Sequence, residues 1–167
     1  MGLVTPGEAD ASVPLTVGER ARSFGFGLAT GAGLSLLAAG LGHLLLGWQW
    51  TEAELRPVSV LWRSLVQLSW LITLEELAFR GPLFGWMEKR WGTGMAEVGT
   101  SLAFAASAVV AGWSIGAAMT GPLVGGWILA KLRSGSGSVW CPLGAHLAWS
   151  WIQDNGPVWA VLLLGQA

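Results

Sequence analysis

An all-α fold, a polytopic membrane-embedded helical bundle, is predicted for this 167-residue chain by three features of its sequence. Charged residues make up 11% and hydrophobic ones 53%, whereas a soluble domain carries about 25% charged residues. Mean hydropathy is +0.56, and residues 23–51 contain no charge, a stretch longer than the roughly 20 residues a helix needs to cross the hydrocarbon core. Twenty-five glycines accompany twelve tryptophans, which pairs small packing residues with interfacial anchors. The length allows one domain.

Composition also excludes some classes. Nine basic and ten acidic residues leave a net charge of -1, so no basic surface suggests nucleic acid as a partner. Cys141 is the only cysteine; it rules out an intramolecular disulfide and a multi-cysteine metal site, and reads as a small apolar residue near a helix end.

Residues 1–22, with Pro6, Glu8, Asp10, Pro14 and Glu19, read as a polar cytoplasmic tail and not as a cleaved signal peptide, which needs a basic start followed by an apolar run. Residues 23–167 form the membrane domain, beginning with the first span, 23–51. Further spans are expected at about 58–87, 94–113, 115–131 and 138–153, separated by Glu88, Lys89 and Arg90, by residues 112–116 and by residues 131–138. This makes about five crossings. Residues 157–164 are too short to cross and follow an Asp154-Asn155-Gly156-Pro157 turn signal, so a short C-terminal helix, docked or interfacial, is expected. Gly27 and Gly31, Gly112 and Gly116, and Gly121 and Gly125 stand four apart, a spacing that serves helix packing or a dimer contact.

With the first helix running outward, Arg20, Arg22, Lys89, Arg90, Lys131 and Arg133 share one side, against Arg56 beside Glu52 and Glu54 on the other. Such a bias places the amino terminus inside. Arg63 and Arg80 fall within the second span. Trp48, Trp50, Trp62, Trp86, Trp91, Trp113, Trp140 and Trp151 sit near span ends, as in an aromatic belt. Trp70, Trp127 and Trp149 lie deeper and read first as core packing, with pigment or lipid contact the other reading.

Chemistry gathers at Glu75-Glu76-Leu77-Ala78-Phe79-Arg80-Gly81. Three charges at about 3 kcal/mol each outweigh ten apolar residues at about -0.5 kcal/mol each. The group must therefore face protein, a wet cavity or the inner interface. Glu76 and Arg80 can pair along one helix face, while Glu75 points about 100° away. Two readings stand: Glu75 as a general base for water, or a Glu76–Arg80 packing pair with Glu75 at the headgroups. His146, with Ser150 one turn later, is likewise either a hydrogen-bonding packing residue or part of one cavity with Glu75. His43 is a weaker candidate.

Glu75-Glu76-x-x-x-Arg80-Gly81, then Phe104, then Ser136-Gly137-Ser138-Val139-Trp140-Cys141-Pro142 running into His146, resembles the CPBP membrane protease family over about residues 75–151. That family includes CAAX prenyl endopeptidases and bacteriocin-processing or immunity (Abi-like) proteins. The resemblance implies water-activated peptide cleavage within the membrane, with Glu75 as the catalytic carboxylate, Glu76 and Arg80 in support, and His146 as the third-motif histidine. Two positions depart. The second-motif histidine is Ala108, and the asparagine expected four residues after His146 is Ser150, whose hydroxyl can still donate one hydrogen bond. Loss of a positioned acid or base typically forfeits about 100- to 10,000-fold in rate. The sequence therefore predicts an inactive or impaired member acting as a subunit or partner in a membrane assembly, with a working peptidase as the alternative. No cofactor or metal is expected, because zinc sites normally use three protein ligands and the adjacent glutamates diverge. Expected partners are the lipid bilayer and other membrane-protein subunits, with a homo-oligomer left open.

Overall fold

The computed structural model describes residues 15–46 and 62–164, without the side chains of 46, 64 and 154–164. The expectations for the start of the tail, Trp48, Trp50, Glu52, Glu54 and Arg56 lie outside the described residues. All regular structure among the described residues is helical: α1 (Val17–Leu46), α2 (Ser69–Ala78), α3 (Phe84–Trp91), α4 (Thr93–Val110), α5 (Ile115–Thr120), α6 (Pro122–Ser136) and α7 (Trp140–Leu164). Wider π-helical turns, Trp62–Leu68 and Phe79–Leu83, flank α2. Three stretches, Val17–Leu45, Thr93–Val110 and Ile115–Ser136, are long and apolar enough to cross a membrane.

The burial pattern departs from that of a soluble protein, with charged and polar side chains buried beside small apolar ones and many large apolar side chains exposed. Glu76, Arg80, Thr100 and Ser35 are fully buried, whereas Leu44, Leu45, Val110 and Ile115 are exposed. Polar groups inside and apolar ones outside are what a hydrocarbon solvent selects. Trp70, Trp127 and Trp149 follow the same rule, at 67%, 47% and 38% exposure. They are not core residues. Rings of that size cost nothing on an apolar outer surface, while the closest helix contacts are made by small residues.

Helix α1 packs chiefly on α7. A Cβ at Gly27 would strike the Cys141 carbonyl, one at Gly31 the Ala145 carbonyl, and one at Gly144 the Phe24 carbonyl. These matched pairs make α1 and α7 parallel neighbours. Gly112, Gly116 and Gly125 have open space around them, so their spacing marks no close approach, and Gly112 instead closes α4 with φ +101°.

Several boundaries differ from the expected ones. Helix α1 starts six residues before 23, because Thr16 and Glu19 form a capping box. The Glu19 N–H donates to Thr16 Oγ1 at 3.3 Å and the Thr16 N–H donates to Glu19 Oε2 at 2.8 Å. Glu88, Lys89 and Arg90 finish α3 and do not form a loop; the break falls at Gly92, with φ +82°. Lys131 and Arg133 likewise belong to the last turns of α6, where long cationic stems can stay helical. Helix α7 continues through Asp154-Asn155-Gly156-Pro157, so residues 157–164 extend the last helix and are not a separate docked one. Local turn chemistry is a weak signal inside an apolar helix, whose backbone has no water to bond instead.

Candidate functional site

The site begins with a kink. Pro82 has no N–H to offer Ala78, and a residue before proline is pushed from the helical region; Gly81 accordingly adopts ψ -109°. The Phe84 N–H bonds Gly81 and Phe79 instead of Arg80. This leaves the Arg80 carbonyl to the Arg133 Nε donor on α6, at 3.0 Å. The kink thus couples the α2–α3 segment to α6 just below the carboxylates.

Glu76 and Arg80 pair as the spacing predicts, with Nη1 3.4 Å from Oε1 and both side chains at 0% exposure. Arg80 Nη2 also donates to the Gly126 carbonyl at 2.9 Å. Its guanidinium carbon lies 4.8 Å from the Phe104 ring centre, a cation–π contact in a desolvated setting. Gly126 carries no side chain where Phe104, Arg80 and Ser101 converge. His146 joins Glu76 through Nδ1, 2.9 Å from Oε1. A carboxylate only accepts, so with Glu76 in that form the contact uses the tautomer protonated at Nδ1. Phe104 meets His146 edge-on at 5.7 Å between ring centres. Glu76 is thus the hub of a buried network that fixes both Arg80 and His146.

Glu75 takes no part in that hub. It lines a cavity of about 620 Å³ together with Phe104, Ala108, His146 and Ser150. The structure therefore brings Glu75, His146 and Ser150 to one space and sets Glu76 and Arg80 outside its lining. Ala108, at the departed second-motif position, borders the same space. His43 is not among the lining residues. Among the described residues no group of three His, Cys, Asp or Glu side chains is arranged to hold a metal ion.

A second polar group, with no counterpart among the candidates of the sequence, joins α4 to α6. Glu97 of α4 is buried, and its Oε2 lies 2.7 Å from Lys131 Nζ while Ser134 Oγ donates to Oε1 at 2.6 Å. Glu97 is the one charge between residues 94 and 113, which was itself the signal that a partner must exist. The pair ties α4 to α6 on the basic side of the cavity. Gln153 was also missed. Its Nε2 donates to Ser35 Oγ at 3.0 Å, and it lines the cavity seven residues after His146.

No curated protein and no solved structure matches the chain. The model of the family described as type II CAAX prenyl endopeptidase Rce1-like matches residues 57–152, more than half of the chain, with Glu75, Glu76, Arg80, His146 and Ser150 inside the match, and this protein belongs to that CPBP-type membrane family.

Proposed function

We propose that this integral membrane protein is a catalytically impaired member of its family that works as a subunit or binding partner in a membrane assembly. The observation that carries the reading is Ala108. It borders the cavity that Glu75 and His146 share, and by the family resemblance it puts a methyl group where a second histidine is expected. A methyl group neither moves a proton nor stabilises an oxyanion. The Glu76–Arg80–His146 network is kept, and such a network supports a scaffold as well as it supports a reaction. A second reading, a peptidase using Glu75 and His146, is favoured by the convergence of Glu75, His146 and Ser150 on one cavity.

Purification from native membranes tests the choice. A scaffold is expected to co-purify with stoichiometric companions, and the purified material to show no peptide hydrolysis dependent on Glu75. A chain isolated alone that cleaves peptides at a rate lost in Glu75→Gln would overturn the reading.

The proposed topology has five crossings and an inside amino terminus. The parallel packing of α1 and α7 supports it, since three crossings between them return the chain to the same direction. The basic residues Arg20, Arg22, Lys89, Arg90, Lys131 and Arg133 then lie inside. Membrane-impermeant thiol reagents are expected to reach Arg90→Cys and Trp113→Cys from opposite sides. Labelling of both from one side would refute the five-span map.

A further inference from the structure

Helix α3 is unlike the helices around it. Its residues, Phe84–Trp91, include the run Glu88, Lys89 and Arg90, and among the described residues none of the stretches long and apolar enough to cross a membrane contains it. Three adjacent charges are costly in hydrocarbon. The helix follows the Gly81–Pro82 kink and stops at Gly92, which sets it at the rim of the bundle, at the level where acyl chains give way to headgroups.

Its two faces differ. Phe84 is fully buried against Ala96 and Ala130, and Met87 packs on the same cluster and covers Gly99 of α4. The other face carries Trp86, Lys89 and Arg90, which lie within about 100° of one another around the helix, and all three are exposed. Trp91, exposed at the helix end, meets Trp86 edge-on at 5.0 Å between ring centres, and the Arg90 guanidinium carbon lies 6.0 Å from the Trp91 ring centre.

The two cations of this face have no acid to answer them. Among the described residues the ion pairs join Arg80 and His146 to Glu76 and Lys131 to Glu97, and neither Lys89 nor Arg90 takes part. Glu88, about 160° round the helix from Trp86, accepts instead from the Thr93 hydroxyl at 3.0 Å. Uncompensated cations beside amphipathic indoles fit a surface that is apolar below and negative above. The planar fork of Arg90 can hold two phosphate oxygens at once, while Lys89 acts as a point charge. A choline headgroup would bring its own cation toward both, so the fit is to a lipid of net negative charge.

We propose that the outward face of α3 is a binding site for an anionic phospholipid, with Trp86 and Trp91 at the acyl boundary and Lys89 and Arg90 on the headgroup phosphate. Such binding needs neither hydrolysis nor a companion subunit, and it lies outside the cavity of Glu75.

The purified full chain in dodecyl maltoside is mixed with dioleoylphosphatidylglycerol or with dioleoylphosphatidylcholine, and retained lipid is counted by native mass spectrometry. The wild type should hold the anionic lipid about tenfold or more tightly than the zwitterionic one. At about fivefold per charge, Lys89→Gln with Arg90→Gln should weaken retention of the anionic lipid about twentyfold and leave the zwitterionic one unchanged. Both side chains are exposed and glutamine keeps the helix propensity, so the fold is preserved. Trp86→Ala should weaken retention about three- to tenfold. Arg20→Gln with Arg22→Gln removes two exposed cations from α1, where Glu19 lies close to Arg22, and should leave retention nearly unchanged. Equal retention of the two lipids by the wild type, no loss in the α3 double variant, or a loss as large in the α1 double variant would each overturn the proposal. Displacement of the lipid by millimolar inorganic phosphate at constant ionic strength would mark a free-anion site and overturn it as well.

Discussion

Arg80→Ala is expected to cost about 3–5 kcal/mol, the penalty for leaving one member of a buried ion pair behind. Glu76 is at 0% exposure, so its charge has no route to water, and the substitution also removes the bond to the Gly126 carbonyl and the contact with Phe104. Thermal unfolding in detergent measures the loss. Glu75→Ala should cost much less, because Glu75 borders the cavity and stands outside the pair. The double variant Glu76→Leu with Arg80→Met removes both charges, and replacement of a whole buried pair by apolar groups is often neutral. It is expected to recover most of the stability lost in Arg80→Ala. A double variant as unstable as the sum of its single changes would show that the pair is not the coupled unit described here.

Gly31→Leu is expected to separate α1 from α7. The first carbon of any side chain at that position falls on the Ala145 backbone, which cannot rotate away as a flexible side chain could. Overpacking costs about 1–3 kcal/mol in ordinary cores and more where backbone must move. Gly27 and Gly144 share the seam, so displacement at one point opens the others. Gly33 supplies the control within the same helix, since nothing lies within 4 Å of its added carbon. Size-exclusion profiles after mild heating should show Gly31→Leu aggregated and Gly33→Leu unchanged. Equal behaviour of the two would contradict the parallel close packing.

Much of this was legible where the signal was local. The pairing of Glu76 with Arg80 follows from their separation of four residues on one helix, and the seam at Gly27 and Gly31 from small residues one turn apart. The same spacing misled at Gly112 and Gly116, because spacing states what a face permits and not whether a helix lies against it. The Thr16–Glu19 capping box was readable but sat inside a segment taken for a tail. Trp70, Trp127 and Trp149 were assigned inward by depth along the chain, although depth in a membrane says nothing about which face is turned to lipid. Contacts between distant segments, Arg133 with the Arg80 carbonyl, Lys131 with Glu97 and Gln153 with Ser35, have no periodic trace. Only for Glu97 did the expense of a lone charge in an apolar helix hint at a partner. For the site, sequence brought Glu75, His146 and Ser150 together as candidates. The offset of about 100° between adjacent helical residues already set Glu75 apart from Glu76 and Arg80, but the bond from His146 to Glu76 was not legible, since it depends on how α7 docks.

The central claim, that the chain functions without hydrolysis, is tested most directly by Glu75→Ala in the native host. A carboxylate that activates no water contributes only packing and local electrostatics, so the variant should fold, keep its companions and support a nearly unchanged phenotype. Peptide hydrolysis at neutral pH requires that carboxylate or an equivalent base. Complete loss of the phenotype in a Glu75→Ala protein that is still folded and still bound to its companions would contradict the account.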